Sequence, residues 1–186
     1  MNALSTKYDV IKEYCQKSKS TDPISLAIEI MKDDSISING PEHHFLDGAA
    51  FLTAFKNAGG SINLEEALRE LSKRSILMPG AICGYWGVCG SASSLGAALA
   101  IINNTSPLSD NEYYKDNLEF TSSVLRIMSK IGGPRCCKRN AFISISTAVS
   151  FVKHKYNINM TLPAISCDFY NLNPDCIQKR CPFYKK

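Results

Sequence analysis

The chain has 186 residues, 45% hydrophobic and 20% charged, the balance of an ordinary soluble protein with enough length for one domain and its core. Its net charge of +4 permits an anionic ligand. No basic stripe with interleaved aromatics accompanies that charge, so nucleic acid is not an expected partner. Residues 1–20 are polar and carry no signal-peptide pattern, and the longest apolar stretch, 95–102, is too short to cross a bilayer. A soluble, cytoplasmic protein with no membrane association is expected.

Taken in order, the first element is a helix with Tyr8, Ile11 and Tyr14 at helical spacing. Asp22-Pro23 reads as an N-cap followed by proline at the first helical position, opening a helix over 24–31. Residues 35–39 alternate weakly and read as a short strand or a loop. Gly40-Pro41 starts a helix running through Phe55, and Gly59-Gly60 ends it. The next helix, 63–75, carries Leu64, Ala67, Leu68 and Leu71 on one face, with Glu65, Glu66 and Arg69 opposite. The segment 79–90 is irregular and glycine-rich, and it feeds a helix of small apolar residues over 91–103. A long amphipathic helix spans 110–130, closed by Gly132-Gly133-Pro134, and the last helix spans 136–155.

After Pro163 the periodicity is lost, and 167–184 reads as a loop with no core of its own beyond its cysteines. The expected architecture is all-α: a single helical domain of about seven helices with an irregular Cys-rich C-terminal loop. Within residues 1–186, N-terminal helices occupy 1–38, a motif-bearing helical core 39–160, and the Cys-rich tail 161–186. There is no internal repeat.

Eight cysteines are the informative number. Without an export signal they point to metal binding or thiol chemistry rather than disulfides. In the tail stand Cys167, Cys176 and Cys181-Pro182, with eight and then four residues between successive cysteines. Three thiolates on one centre would offset the entropy of ordering such a polar segment. Proline directly after the last cysteine occurs in iron–sulfur loops. The spacings match no standard ferredoxin or zinc-finger pattern, so they indicate a metal without choosing it. The plain alternative is three free thiols on a frayed end.

Upstream, Cys136-Cys137 follow Gly132-Gly133-Pro134-Arg135 and precede Lys138-Arg139. A helix N-terminus and three cations each favour a thiolate there. Adjacent cysteines do not readily ligate one small ion together, so one is expected to ligate and the other to pack. In Cys83-Gly84-Tyr85-Trp86-Gly87-Val88-Cys89-Gly90-Ser91, glycines leave the backbone bare around both thiols. Cys89 just precedes a helix, so Gly90 and Ser91 offer free N–H groups to a thiolate, a carboxylate or a phosphate. His43 and His44 open another helix after Gly40-Pro41; each reads as a ligand, a proton carrier or a capping residue. All three pieces sit at helix starts, and helix N-termini converging on one pocket would gather them.

Pro41-Glu42-His43-His44-Phe45-Leu46, Gly87-Val88-Cys89-Gly90, Gly133-Pro134-Arg135-Cys136-Cys137-Lys138-Arg139 and the ending Cys176…Cys181-Pro182-Phe183 together resemble a domain of unknown function found in bacteria and archaea, many of them anaerobes. The match runs from about Asn39 to Phe183. In that family the domain also occurs joined to a methyltransferase-like domain. The resemblance implies a prokaryotic, cytoplasmic setting and a cysteine-based function, and supplies no reaction.

The functional expectation is an iron–sulfur enzyme or sulfur-handling protein acting on a small anionic or sulfur-containing molecule. Cys167, Cys176 and Cys181, with Cys136 or Cys137, would hold an iron–sulfur cluster of the 4Fe–4S type. Cys89, with Cys83, would be the reactive thiol. His43 or His44 would move protons, and Arg135 and Arg139, with Gly90 and Ser91, would hold the anion. Two alternatives remain open. One is a zinc-stabilised binding module whose basic tail, Lys179, Arg180, Lys185 and Lys186, meets an anionic partner. The other is a metal-free enzyme with Cys89 as nucleophile.

Overall fold

Helix α3 (His43–Asn57) is the axis of the molecule: every side chain from His43 to Phe55 is buried. In the computed structural model, which describes residues 3–185, it packs against α1 (Ala3–Lys17), α2 (Pro23–Met31), α4 (Leu64–Ile76), α6 (Gly90–Ile102) and α8 (Cys137–Tyr156). A helix that is apolar all round has to be enclosed by others. Met1, Asn2 and the last basic residue, Lys186, lie outside the described residues.

Among the described residues the architecture is all-α, with eight helices and no strand. Seven occupy the segments expected from periodicity. The eighth, α5 (Ile82–Tyr85), is a single turn inside the glycine-rich segment. Residues 35–39 form a loop. Local chemistry accounts for the boundaries. Asp22 accepts from the backbone N–H groups of Ile24 and Ser25, with Pro23 at the first helical position of α2. Asn63 accepts from Glu66 N to start α4. The long α7 (Glu112–Ile131) stops at Gly132, whose φ of 76° suits glycine.

The approach of α3 to α6 depends on small side chains. Gly48 N donates to Ser94 Oγ at 3.0 Å, and a Cβ on Gly48 would meet Ser94 Oγ and Leu71 Cδ2 at 2.8 and 2.9 Å. This contact holds the second turns of α3 and α6 side by side. Cys137 N donates to Asn39 Oδ1 at 2.9 Å, which brings the start of α8 to the loop before α3.

The tail carries more apolar anchoring than its sequence pattern suggests. Phe169 and Ile177 are buried, and Phe183 stands edge-on to Phe142 of α8, ring centroids 5.4 Å apart. Cys167 N donates to Phe183 O at 2.7 Å, and 3-10 turns at Tyr170–Leu172 and Gln178–Arg180 shape the loop between them. Isolated aromatic anchors leave no helical or strand period, so pattern reading passes over them. No helix among the described residues is long and apolar enough to cross a membrane.

Candidate functional site: two adjoining cysteine cavities

Three helix N-termini, those of α3, α6 and α8, meet at one cavity of about 140 Å³. His43, His44 and Asp47 line it from α3; Cys89, Gly90 and Ser91 from α6; Arg135, Cys136, Cys137 and Asn140 from α8 and its approach; Cys83 from α5. Cys89 is the N-cap residue of α6 and Cys136 that of α8. The amides of Ser91 and Ala92 donate to the Cys89 sulfur, and Asn140 Nδ2 reaches it at 3.2 Å.

The expectation that these positions lower thiol pKa values does not hold for Cys137 and Cys89, where burial outweighs the helix ends. Desolvation pushes Cys137 up to about 12 and also raises Cys89, Cys167 and Cys181. For Cys89 the three hydrogen-bond donors, and for Cys181 the Arg139 guanidinium, work in the lowering direction without prevailing. A buried thiol with such donors turns into a thiolate once a cation compensates it.

The histidines are not equivalent. His44 Nδ1 lies 3.2 Å from Met78 O, and a carbonyl only accepts, so Nδ1 carries the proton and Nε2 keeps its lone pair. Burial also lowers the His44 pKa, which favours the neutral ring. Gly90 packs directly on this ring, and a Cβ there would fall within it. His43 Nε2 faces Ser37 O and Lys138 Nζ, each at 3.1 Å.

Sequence reading passed over Asp47. Its side chain is fully buried, both carboxylate oxygens lack a hydrogen-bond partner, and the closest basic atom is His43 Nδ1 at 3.8 Å, itself unpartnered. It lies four residues after His43 on an otherwise apolar helix, and that lone charge in an apolar run was the available signal. Lys138 is equally hidden: desolvation drops its pKa to about 8, while Asp47 and other acidic neighbours pull the other way.

A second, smaller void lies behind the first. Cys136, Cys167, Cys176 and Cys181 line it, with Arg139, Phe142, Phe169, Asn173 and Phe183. Each of the four sulfurs accepts a backbone N–H: Cys136 from Arg139 and Cys176 from Gln178 at 3.5 and 3.4 Å, Cys167 from Phe169, and Cys181 from Phe183. Asn173 is buried and its Nδ2 is unpartnered. The void, about 20 Å³, is the size of a water molecule, so any larger occupant requires the tail to swing outward.

The structure therefore divides the cysteines. Cys136 joins the three tail thiols, Cys137 joins Cys89 and Cys83, and Cys15 is a core residue of α1, its thiol pushed up to about 12 by burial. All eight cysteines are free thiols. Among the described residues, no three His, Cys, Asp or Glu side chains meet at the spacing of ligands around a single ion.

Outside the inner cavity lies an open groove of about 820 Å³. Cys83 and Cys89 line both, and Arg126, Arg135 and Arg139 line the groove. Arg139 is committed elsewhere, its Nη2 donating to Gly132 O and Pro134 O at 3.0 and 2.9 Å. It holds the turn before α8, whereas Arg135 is exposed.

Residues 11–184 match the model of a family of unknown function, DUF5714. The chain belongs to this family. No curated protein and no solved structure matches it at a significant level. For this DUF5714 chain, any functional reading rests on the two cavities and the groove.

Proposed function

We propose that this DUF5714 protein is an iron–sulfur protein of redox or sulfur-transfer chemistry, with Cys136, Cys167, Cys176 and Cys181 as the ligands of a 4Fe–4S cluster. The observation that carries the reading is the ring of four thiols around one void, each sulfur already accepting a backbone N–H. Backbone N–H bonds to cysteine sulfur stabilise the anionic ligand and tune a cluster. A polynuclear cluster takes its thiolates at its corners, so it needs a ring of sulfurs rather than convergence on a point. Asn173, whose Nδ2 is unpartnered, lines the same void and carries a donor suited to a sulfide. Arg139 stands beside Cys181 and offsets the negative charge four thiolates would bring.

Bound there, such a cluster supplies one-electron transfer or sulfur activation. The chain's own residues do the rest. Arg135 and Arg126 in the groove draw in a small anion, a sulfur-containing one included, and the N–H groups of Gly90 and Ser91 lie at the inner end near Cys89. Cys89 is the reactive thiol, and both it and Cys83 line the groove and the cavity. His43, 3.1 Å from Lys138 Nζ and 3.8 Å from Asp47, carries a proton in this reading. Eight free thiols suit a reducing, cytoplasmic setting.

The test is a pair of neighbouring substitutions in protein made without oxygen. Cys136→Ser loses iron and acid-labile sulfide, and Cys137→Ser keeps both. Equal iron in the two variants, or one zinc per chain and no iron in the parent, contradicts the reading.

A further inference from the structure

The inner cavity has a donor set that includes none of the cluster's ligands. Four groups on it come from three helix starts: the carboxylate of Asp47 and the ring of His44 on α3, and the thiols of Cys89 and Cys137 at the starts of α6 and α8. Asp47 is the decisive member. A fully buried carboxylate normally finds partners, because an unpaired buried charge costs far more than a paired one. Glu42 in the same region shows the ordinary solution, accepting from Lys7 Nζ and Ser37 N, both at 2.8 Å. Asp47 has two unpartnered oxygens instead.

His44 is arranged as a ligand. Its Nδ1–H is spent on Met78 O, which fixes the tautomer and leaves Nε2 as an acceptor on the side where only glycine fits at position 90. Ligating histidines characteristically donate their other ring N–H to a carbonyl in this way. The two thiols are held by second contacts too: Asn140 Nδ2 on the Cys89 sulfur, and the Gly40 amide on the Cys137 sulfur.

We infer that this cavity is a second metal centre, in which Cys89, Cys137, His44 and Asp47 bind one divalent transition-metal ion of the zinc type. Mixed thiolate, imidazole and carboxylate ligands are the preference of that class, and two thiolates disfavour magnesium and calcium. The donors ring a cavity of about 140 Å³ rather than meeting at a point, so binding draws them inward. The ion would neutralise Asp47 and convert both raised thiols to thiolates. Cys83 and Arg135 line the same cavity and open onto the groove, so the ion is reachable by the anion that the groove admits. The two ligand sets share no residue, although Cys136 lines both cavities, so the site stands or falls separately from the cluster.

The experiment titrates the full chain, purified without oxygen, with cobalt(II) alone. One equivalent is taken up with a thiolate-to-cobalt charge-transfer band. Cys89→Ser and Cys137→Ser each diminish that band, and Asp47→Asn weakens cobalt binding by about tenfold or more. Cys181→Ser leaves the band intact. Iron measured on the same samples follows Cys181 and not Cys89, so failure of the cluster reading and failure of this one are told apart. Thermal unfolding without added metal gives a second readout: Asp47→Asn raises the midpoint, because it replaces a buried carboxyl whose two oxygens have no hydrogen-bond partner. Absence of cobalt binding, a band that survives both cysteine substitutions, or one that disappears in Cys181→Ser overturns the inference.

Discussion

Cys136 and Cys137 are neighbours in the chain and belong to different sets of thiols: Cys136 closes a ring with Cys167, Cys176 and Cys181, while Cys137 stands with Cys89 beside Asp47. Cys136 is the N-cap of α8 and Cys137 its first residue; Cys136 lines both cavities, whereas Cys137 lines the inner one alone. One peptide unit thereby links the tail to the helical core.

Seating of the tail depends on its aromatic anchors. Phe183 packs edge-on against Phe142, and Phe169 is buried against the core with Lys138 Nζ 5.1 Å from its ring centre. Phe183→Ala removes one anchor and costs about 1–3 kcal/mol of local packing. Because Cys181 is two residues away, iron retention during gel filtration falls in this variant while far-ultraviolet circular dichroism stays that of a helical protein. Unchanged retention would mean that the cysteines alone hold the tail.

Gly90 separates a packing role from a chemical one. Any Cβ there enters the space of the His44 ring. Gly90→Ala therefore lowers stability by about 1–3 kcal/mol, read as a denaturation midpoint, and displaces His44 from the cavity. His44→Ala in the same background makes room for the methyl group, so the double variant loses less than the sum of the two singles. Simple additivity would show that the two positions do not touch.

Acid stability has an identifiable source in Glu42. Burial works to raise its pKa, yet hydrogen bonds from Lys7 and Ser37 prevail and hold it at about 2 against an ordinary 4.5. A carboxyl whose folded pKa is depressed contributes stability that is present above its unfolded pKa and is lost as pH falls through the folded one. The window is therefore about pH 4.5 down to about 2. Glu42→Gln loses on the order of 3 kcal/mol at neutral pH and flattens the decline across that window. Urea unfolding at several pH values measures it, and a wild-type slope retained in the variant would assign the acid sensitivity elsewhere.

The alkaline side is set by Lys138 and acts in the opposite sense to the thiols. Its folded pKa of about 8 lies below the ordinary 10.5, so folding disfavours the ammonium, and stability gained from this residue rises between about pH 8 and 10.5. Cys15 and Cys137, raised from 9.0 to about 12, contribute stability that fades as pH climbs through that range. Cys15→Ala removes the fading component of one thiol at the cost of a small cavity in α1. The ratio of its stability at pH 10.5 to that at pH 8 rises relative to the parent; an unchanged ratio would contradict the assignment.

The helices were legible because their signals are local. The Asp22-Pro23 cap, the Asn63 cap and the apolar face of α4 each depend on residues within a few positions. Meeting of the α3, α6 and α8 starts was an expectation from shared glycine and proline turns, and the cavity places them together. Thiol acidity went the other way, since helix ends and cations do not outweigh burial, and burial is a tertiary quantity. Asp47 and Asn173 were missed, and Lys138 was read as a cation beside the thiols without its burial, for the same reason: nothing short-range distinguishes a hidden charge or amide from a solvated one. Trp86, conspicuous as the sole tryptophan, is 66% exposed on the loop between α5 and α6.

The most direct measurement is the iron and acid-labile sulfide content of the parent chain and its Cys136→Ser variant, both purified without oxygen. The account predicts about four of each per parent chain and a broad visible absorption bleached by reductant, with both contents near zero in Cys136→Ser. A parent protein free of iron and sulfide, or a Cys136→Ser variant as rich in them as the parent, would contradict it.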